Sequence, residues 1–232
     1  MASSFKRIEK KFWMDRAQFE ELMPCILANM HEDAFGESRV NNIYCDTDDF
    51  RLIRNSIERP LFKEKLRIRY YGDAGPENQV FAEIKRKLNG EGYKRRIQTS
   101  FGYMNKLLAG EEVPSDNEQI GKELLEFIGR YHPTPQICIS YIRKAYYGNE
   151  DEGLRISFDK DLRWCRFEGN FEDGFTGEPI LHGRGDILME VKTSVAMPLW
   201  LCKQLSGLKI YQASFSKIGA CYENHIRNKE RT

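Results

Sequence analysis

The sequence has no apolar run of about 18 residues, the length a membrane-crossing helix requires, and no charged-then-apolar leader at Met1-Ala2-Ser3-Ser4. Neither a membrane span nor a secretory signal is encoded, so a soluble cytoplasmic protein is expected. Clustered metal ligands are lacking too. Cys25, Cys45, Cys138, Cys165, Cys202 and Cys221 stand apart, as do His31, His132, His182 and His225, without the close spacing of a zinc site. In a chain too large to need disulfide staples, the cysteines read as reduced, mostly buried thiols. Excess charge is also missing: 36 Lys and Arg face 35 Asp and Glu. A duplex nucleic acid calls for a broad basic surface and is not expected as a partner, so any anion site must be local. There is no Walker loop, because Gly90-Glu91-Gly92-Tyr93-Lys94 has neither the spacing nor the following Ser or Thr. No linker, composition break or internal repeat divides the 232 residues, and residues 1–232 read as a single domain.

What the sequence does have is charge in alternation. Residues 63–71 read as a strand that places Lys63, Lys65, Arg67 and Arg69 on one face and Leu66, Ile68 and Tyr70 on the other. A single such strand describes ordinary half-exposed sheet, with its charged side in water. The pattern recurs, however. Residues 5–13 align Arg7, Glu9 and Lys11; residues 79–88 set Phe81, Glu83, Lys85 and Lys87 opposite Val80, Ala82, Ile84 and Leu88; residues 93–98 pair Lys94 with Arg96. Residues 136–147 carry Arg143, residues 153–159 align Arg155, Ser157 and Asp159, and residues 187–193 align Leu188, Glu190 and Lys192.

Helical signals lie between these strands. Asp15 can cap a helix with Phe19, Leu22, Met23, Ile26 and Leu27 on one stripe, kinked or delayed by Pro24. Residues 47–58 read as helix or turn and residues 101–108 as helix. Ser115 with Glu118 forms a capping box for a helix burying Ile120, Leu124, Phe127 and Ile128. Pro198 opens another through Leu205, and residues 215–227 form a last one. Gly72-Asp73-Ala74-Gly75-Pro76 and Asn89-Gly90 are turn signals, and residues 166–185 read as a loop with one hairpin at most. Arg184-Gly185-Asp186 at its end matches an integrin tripeptide by accident.

Strands joined by short turns, with helices inserted, predict an α+β fold with an antiparallel sheet. Closed into a barrel with helices packed outside, such a sheet would turn its charged faces inward. Lys11, Lys65, Arg67, Arg69, Lys85, Lys94, Arg143, Arg155 and Lys192 would then line a tunnel, with Glu9, Glu83, Glu190 and Asp159 against them. That excess of cations repels itself unless a polyanion binds. Phosphate suits a mixture of Arg forks and Lys point charges, and a carboxylate among them suits a hard divalent cation. Phosphoryl transfer needs little beyond alignment and charge neutralisation.

Seven stretches occur in order: Glu9-Lys10-Lys11-Phe12-Trp13, Leu66-Arg67-Ile68-Arg69-Tyr70-Tyr71-Gly72, Glu83-Ile84-Lys85, Ser140-Tyr141-Ile142-Arg143-Lys144-Ala145-Tyr146, Leu154-Arg155-Ile156-Ser157-Phe158-Asp159, Leu188-Met189-Glu190-Val191-Lys192 and Phe215-Ser216-Lys217. Together they resemble the VTC domain, the polyphosphate polymerase branch of the triphosphate tunnel metalloenzymes. The resemblance runs over nearly the whole chain. It implies an antiparallel β-barrel tunnel of about eight strands and an enzyme that transfers the γ-phosphate of ATP to growing polyphosphate with Mn²⁺ or Mg²⁺. It assigns Lys11, Arg67, Arg69, Lys85, Arg143, Arg155 and Lys217 to catalysis and phosphate binding. Lys94 joins them in binding, at a place Arg95 or Arg96 can fill instead, and Lys192 is added from strand parity. Glu190 is the implied principal metal ligand, with Glu9 and Glu83 as auxiliary ligands or salt-bridge partners. The larger eukaryotic members carry N-terminal regulatory and membrane domains not found in these residues, which leaves a membrane-protein partner as an open route for product translocation. The same cage also suits a tunnel triphosphate phosphohydrolase or a non-catalytic polyphosphate-binding module.

Overall fold

The computed structural model describes residues 8–58, 60–72, 75–89, 91–169, 177–181, 187–194 and 196–227. In chain order, β1 (Ile8–Met14), α1 (Arg16–Asn29), β2 (Met30–Glu32), β3 (Ser38–Asp46), α2 (Arg51–Ile57), β4 (Phe62–Tyr71), β5 (Gln79–Leu88) and β6 (Glu91–Ser100) come first. A 3-10 turn (Phe101–Tyr103) leads into α3 (Met104–Leu108), then α4 (Glu118–Tyr131), β7 (Thr134–Gly148), β8 (Arg155–Arg166) and β9 (Glu178–Pro179). β10 (Ile187–Thr193), α5 (Leu199–Gly207), β11 (Gln212–Ala213), α6 (Lys217–Cys221) and a π-helical turn (Tyr222–Ile226) follow. The expected antiparallel sheet with helices is present. Among the described residues it has eleven strands where the tunnel reading expects about eight; eight run seven residues or more, and β2, β9 and β11 have two or three. No described helix is long and apolar enough to cross a membrane.

The chain divides into two compact units, the first holding Met1–Arg39, Tyr141–Leu162 and Leu181–Phe215, the second Val40–Ser140, Arg163–Ile180 and Ser216–Thr232. In the first unit the strand order is β11-β1-β10-β8-β7, with β2 also on β7. Glu190 stands opposite Lys11 on one side and Ser157 on the other, and Lys192 opposite Glu9 and Arg155. This register puts Phe12, Met14, Ile156, Phe158, Met189 and Val191 on the face that packs with Leu22 and Ile26 of α1 and Leu201 and Leu205 of α5. The polar residues of alternate parity take the opposite face. Asp15 closes the start of α1 as expected: its Oδ1 accepts from the Gln18 amide at 2.8 Å while Gln18 Oε1 accepts from the Asp15 amide at 3.0 Å. The helix runs from Arg16 through Pro24 rather than starting after it. Leu27, placed in the buried stripe from sequence, is 58% exposed, because it lies a full 100° of helix beyond Ile26.

In the second unit the order is β7-β3-β4-β5-β6, with β9 on the end of β8. Leu66 opposes Ile84 and Ile68 opposes Ala82 and Ile43, and this apolar face packs with Met104 and Leu107 of α3 and Leu124, Phe127 and Ile128 of α4. The expected Ser115–Glu118 box does not form. Asn117 is the cap instead, its Oδ1 accepting from the Ile120 amide at 3.0 Å, because the helix begins at Glu118. Asp46 stabilises the start of α2 from a distance, accepting from the Leu52 amide at 2.8 Å and the Ile53 amide at 2.9 Å. The expected long C-terminal helix is shorter: α6 starts at Lys217, capped by Ser216, and passes into the π-helical turn. Asn89 takes a left-handed conformation (φ 48°) where Leu88 pairs with Glu91, as a two-residue hairpin turn demands. Gly90, Asp73, Ala74, residues 5–7, His182 and Arg184-Gly185-Asp186 lie outside the described residues.

Candidate phosphate and metal site

In the second unit, strand alternation gathers Lys63, Lys65, Arg67 and Arg69 of β4 with Phe81, Glu83, Lys85 and Lys87 of β5 and Lys94 and Arg96 of β6 on the face opposite the core. Arg67, Glu83 and Arg96 stand in one row across the three strands, and Lys65, Lys85 and Lys94 in the next. Glu83 is 1% exposed. Its Oε2 accepts from Arg67 Nε at 2.9 Å and also from Arg67 Nη2, and its Oε1 faces Lys94 Nζ at 3.6 Å. Burial pushes the Glu83 carboxyl up, but Arg67, Arg69 and Lys94 override it and hold the group at about 2. Burial and the neighbouring guanidinium groups draw Lys94 below the ordinary lysine value despite Glu83.

Arg69 is fixed by a buried amide. Its Nε donates to Asn42 Oδ1 at 3.0 Å, while Asn42 Nδ2 donates to the Ile139 carbonyl at 3.0 Å. Arg96, one of the residues named as able to stand in for Lys94, lies over the Phe81 ring at 4.7 Å. Lys217 opens α6 and is buried, at 8% exposure. Lys63 Nζ donates to the Ser56 carbonyl at 3.0 Å, near the end of α2.

The first unit has a different electrostatic character. Lys11, Arg143, Arg155 and Lys192 are met there by Glu9, Asp159, Glu190 and Asp33. Arg143 Nε and Nη2 donate to Asp159 Oδ1 and Oδ2 at 2.6 and 2.7 Å, and Nη2 also donates to Glu190 Oε2 at 3.0 Å. Burial opposes the Arg143 charge, but Tyr141, Asp159 and Glu190 raise its pKa well above the ordinary value. Lys11 Nζ donates to the Phe215 carbonyl at 2.9 Å and stands 3.4 Å from Glu9 and 3.8 Å from Glu190. Lys192 lies 3.9 Å from Glu9. Arg155 contacts Asp33 at 3.4 Å and the Tyr147 ring at 5.1 Å, and its buried Nε has no hydrogen-bond partner.

The unit thus brings together Lys11, Arg143, Glu9 and Glu190 of the expected set, with Lys192 on Glu9. Glu83, expected as an auxiliary metal ligand, belongs to the second unit with Arg67, Arg69, Lys85, Lys94 and Lys217. Sequence reasoning gave no role to Asn42 or Asp33. Asn42 shares parity with Tyr44 on β3, a signal too slight to single it out, and Asp33 lies in a connection without periodicity.

No three His, Cys, Asp or Glu side chains gather into a metal cage among the described residues. Asp159 has both oxygens on Arg143. Glu190 and Glu9 share the Lys11 ammonium, which places two carboxylates beside the same cation. That donor set fits a magnesium-like ion, which is ordinarily held by one or two carboxylates and completed by phosphate oxygens and water.

The VTC domain model matches residues 6–225. The chain is 25% identical to vacuolar transporter chaperone complex subunit 4 of Trypanosoma cruzi (strain CL Brener), over 69% of this chain and 26% of that protein. It is 24% identical to the subunit of the same name from Schizosaccharomyces pombe (strain 972 / ATCC 24843), over 72% of this chain and 27% of that one. The chain therefore spans about a quarter of the length of these curated relatives. Among solved structures, a Hippeastrum protein described as an adenylyl cyclase candidate with a dominant triphosphatase activity shares the fold. The TM-score is 0.54, with 16% identity over 94% of this chain and 95% of that one. A protein from Pyrococcus horikoshii OT3 shares it at a TM-score of 0.50 and 15% identity, over 94% and 99% of the two chains.

Proposed function

The chain belongs to the VTC domain family, and from that premise we propose that it is an ATP-dependent polyphosphate polymerase. Residues 1–232 act in this reading as one catalytic tunnel domain of the antiparallel β-barrel type. The bond from the β,γ-bridging oxygen of ATP to the γ-phosphorus breaks, a terminal oxygen of polyphosphate bonds to that phosphorus, and ADP leaves. Lys11, Arg67, Arg69, Lys85, Arg143, Arg155 and Lys217 hold the phosphates in line, with Lys94 and Lys192 adding charge. Arg67 and Arg69 enter already oriented by Glu83 and Asn42, so little ordering remains to be done when phosphate binds. The buried Arg155 Nε without a partner is a donor that a phosphate oxygen would satisfy. Mn²⁺ or Mg²⁺ would neutralise charge on the phosphates, held chiefly by Glu190 with Glu9 beside it.

The observation that favours transfer over hydrolysis is the setting of Glu83: its Oε2 accepts from Arg67 Nε and Nη2 and its Oε1 faces Lys94 Nζ at 3.6 Å. A carboxylate so engaged is a charge balancer and a poor acceptor for a proton from water. The six cysteines are free thiols, in keeping with a cytoplasmic setting, and the complex named for the relatives supports a membrane-protein partner for product export. The test is to incubate the purified protein with ATP and Mn²⁺ and to follow ADP, orthophosphate and long-chain polyphosphate together. ADP matched by polyphosphate is expected. Nucleotide loss matched by orthophosphate identifies a hydrolase, and polyphosphate binding without turnover identifies a binding module; either result overturns the proposal.

A further inference from the structure

Two of the free cysteines meet across a strand pair. β7 and β8 are neighbours that run in opposite directions: the Gly148 amide donates to the Leu154 carbonyl at 3.1 Å at one end, and the Phe167 amide to the Gln136 carbonyl at 3.0 Å at the other. The β8 side carries one residue more than β7 between these bonds, and Asp161 within it is left-handed (φ 50°), the mark of a bulge that absorbs the extra residue. Two residues in from the Phe167–Gln136 bond, Cys138 therefore stands opposite Cys165. Both take the apolar face: Cys138 is buried in the core of the second unit, and Cys165, partly exposed, packs against that core. Opposed residues of such a pair have Cα atoms about 5.5 Å apart, inside the range of about 4.4 to 6.8 Å that a disulfide spans.

The two thiols are not alike. Cys138 donates to the Cys165 sulfur, and this bond draws the Cys165 pKa below the ordinary thiol value against burial and Glu168. The same bond, together with burial, raises Cys138. Thiolate is the reacting form, so the more accessible sulfur is also the more reactive. Cys45 and Cys221 are buried, and burial raises both thiols; Cys25 and Cys202 belong to the first unit. We propose that Cys138 and Cys165 are an oxidant-responsive pair that closes a reversible disulfide on reaction with hydrogen peroxide. The Cys165 thiolate attacks one peroxide oxygen and the O–O bond breaks, giving a sulfenic acid and a hydroxide that takes up a proton and leaves as water. The Cys138 sulfur then attacks the Cys165 sulfur, the S–O bond breaks, and the Cys138 proton goes with the departing oxygen as a second water. Two thiols are oxidised and one peroxide is reduced, and a dithiol reverses the bond by exchange. Both cysteines lie in the second unit, while Tyr141–Leu162 between them belongs to the first. The bond thus closes a loop around the segment that carries Arg143, Arg155 and Asp159.

The test exposes the reduced, folded protein to a small excess of hydrogen peroxide, blocks the remaining thiols by alkylation, and maps the unreduced peptides by mass spectrometry. A Cys138–Cys165 cross-link that dithiothreitol removes is expected in the wild type. Cys165→Ser should abolish it and slow thiol loss at least about tenfold. Cys138→Ser should leave Cys165 as a sulfenic acid that dimedone traps, with circular dichroism as the check that both variants fold. A wild type that keeps both thiols, links Cys165 to Cys45 or Cys221 instead, or forms the cross-link only when unfolded in urea overturns the pair. So does a folded Cys165→Ser protein that loses thiols as fast as the wild type, or a folded Cys138→Ser protein in which dimedone labels Cys25 or Cys202 ahead of Cys165.

Discussion

Arg143 grips Asp159 with two parallel hydrogen bonds, Nε to Oδ1 at 2.6 Å and Nη2 to Oδ2 at 2.7 Å. The carboxylate is fully buried and the Arg143 side chain is 14% exposed, so the fork sets the direction from which Arg143 meets Glu190. Removing one member of such a pair strands the other charge. Asp159→Ala is expected to cost roughly 3 kcal/mol in urea unfolding, and Asp159→Asn, which keeps an acceptor, clearly less. Equal losses in the two variants would show that packing, not charge, is what Asp159 contributes.

The second expectation concerns acid stability. Glu83 is held at about 2 against an ordinary value of 4.5. A carboxyl depressed by folding stabilises the native state above its unfolded value and loses that contribution as pH falls through the folded one. The Glu83 contribution, at most about 3 kcal/mol, is therefore complete above about pH 4.5 and disappears between there and pH 2. Denaturant melts at pH 5, 4 and 3 should show the wild type losing more stability across this range than Glu83→Gln. Parallel curves for the two proteins would contradict the assignment.

Asp46 acts on α2 without standing at its cap. Phe50 occupies that position in a left-handed conformation and offers no side-chain acceptor, while Asp46 accepts from the Thr47, Leu52 and Ile53 amides. Burial raises the pKa of its carboxyl in spite of these bonds. Asp46→Ala should cost about 2 kcal/mol, and Asp46→Asn less, read as midpoint shifts in thermal or urea unfolding. Because α2 packs with α6 in the same unit, the alanine variant should also weaken triphosphate binding through Lys217. Unaltered affinity would separate the cap from the site.

Much of this arrangement is written locally. Alternation over residues 63–69 fixes which side chains share a face, and the strand expected at residues 187–193 is β10 residue for residue. Asp15 sits where a capping oxygen must. What local pattern cannot carry is register between distant strands. Lys11 meets Glu190 across some 180 positions of chain, and only the joint burial of Phe12 and Met189 on the other face decides that pairing. The same holds for Asn42 beneath Arg69 and for the Arg143 fork on Asp159. β2, β9 and β11 are too short to show any period. The Ser115 expectation failed because helix starts compete over a few residues, and Asn117 stands nearer the first free amides.

Glu190 is the most direct test of the metal reading, and the choice of substitution decides what the test means. Its carboxylate lies between Arg143 at 3.0 Å and Lys11 at 3.8 Å and is 7% exposed. Glu190→Ala would leave two cations facing a void, so lost activity could come from lost structure. Glu190→Gln keeps the volume and one acceptor for Arg143 while removing the charge a hard divalent ion needs. The glutamine variant should melt within about 1 kcal/mol of the wild type. In titrations of Mn²⁺ into protein with tripolyphosphate present, its affinity for the metal should fall at least about tenfold. Polyphosphate synthesis should fall with it, and excess Mn²⁺ should restore part of the loss, because phosphate oxygens still supply most of the ligands. A folded Glu190→Gln protein with wild-type Mn²⁺ affinity would remove Glu190 from the metal site and leave it as the counter-charge of Arg143 and Lys11.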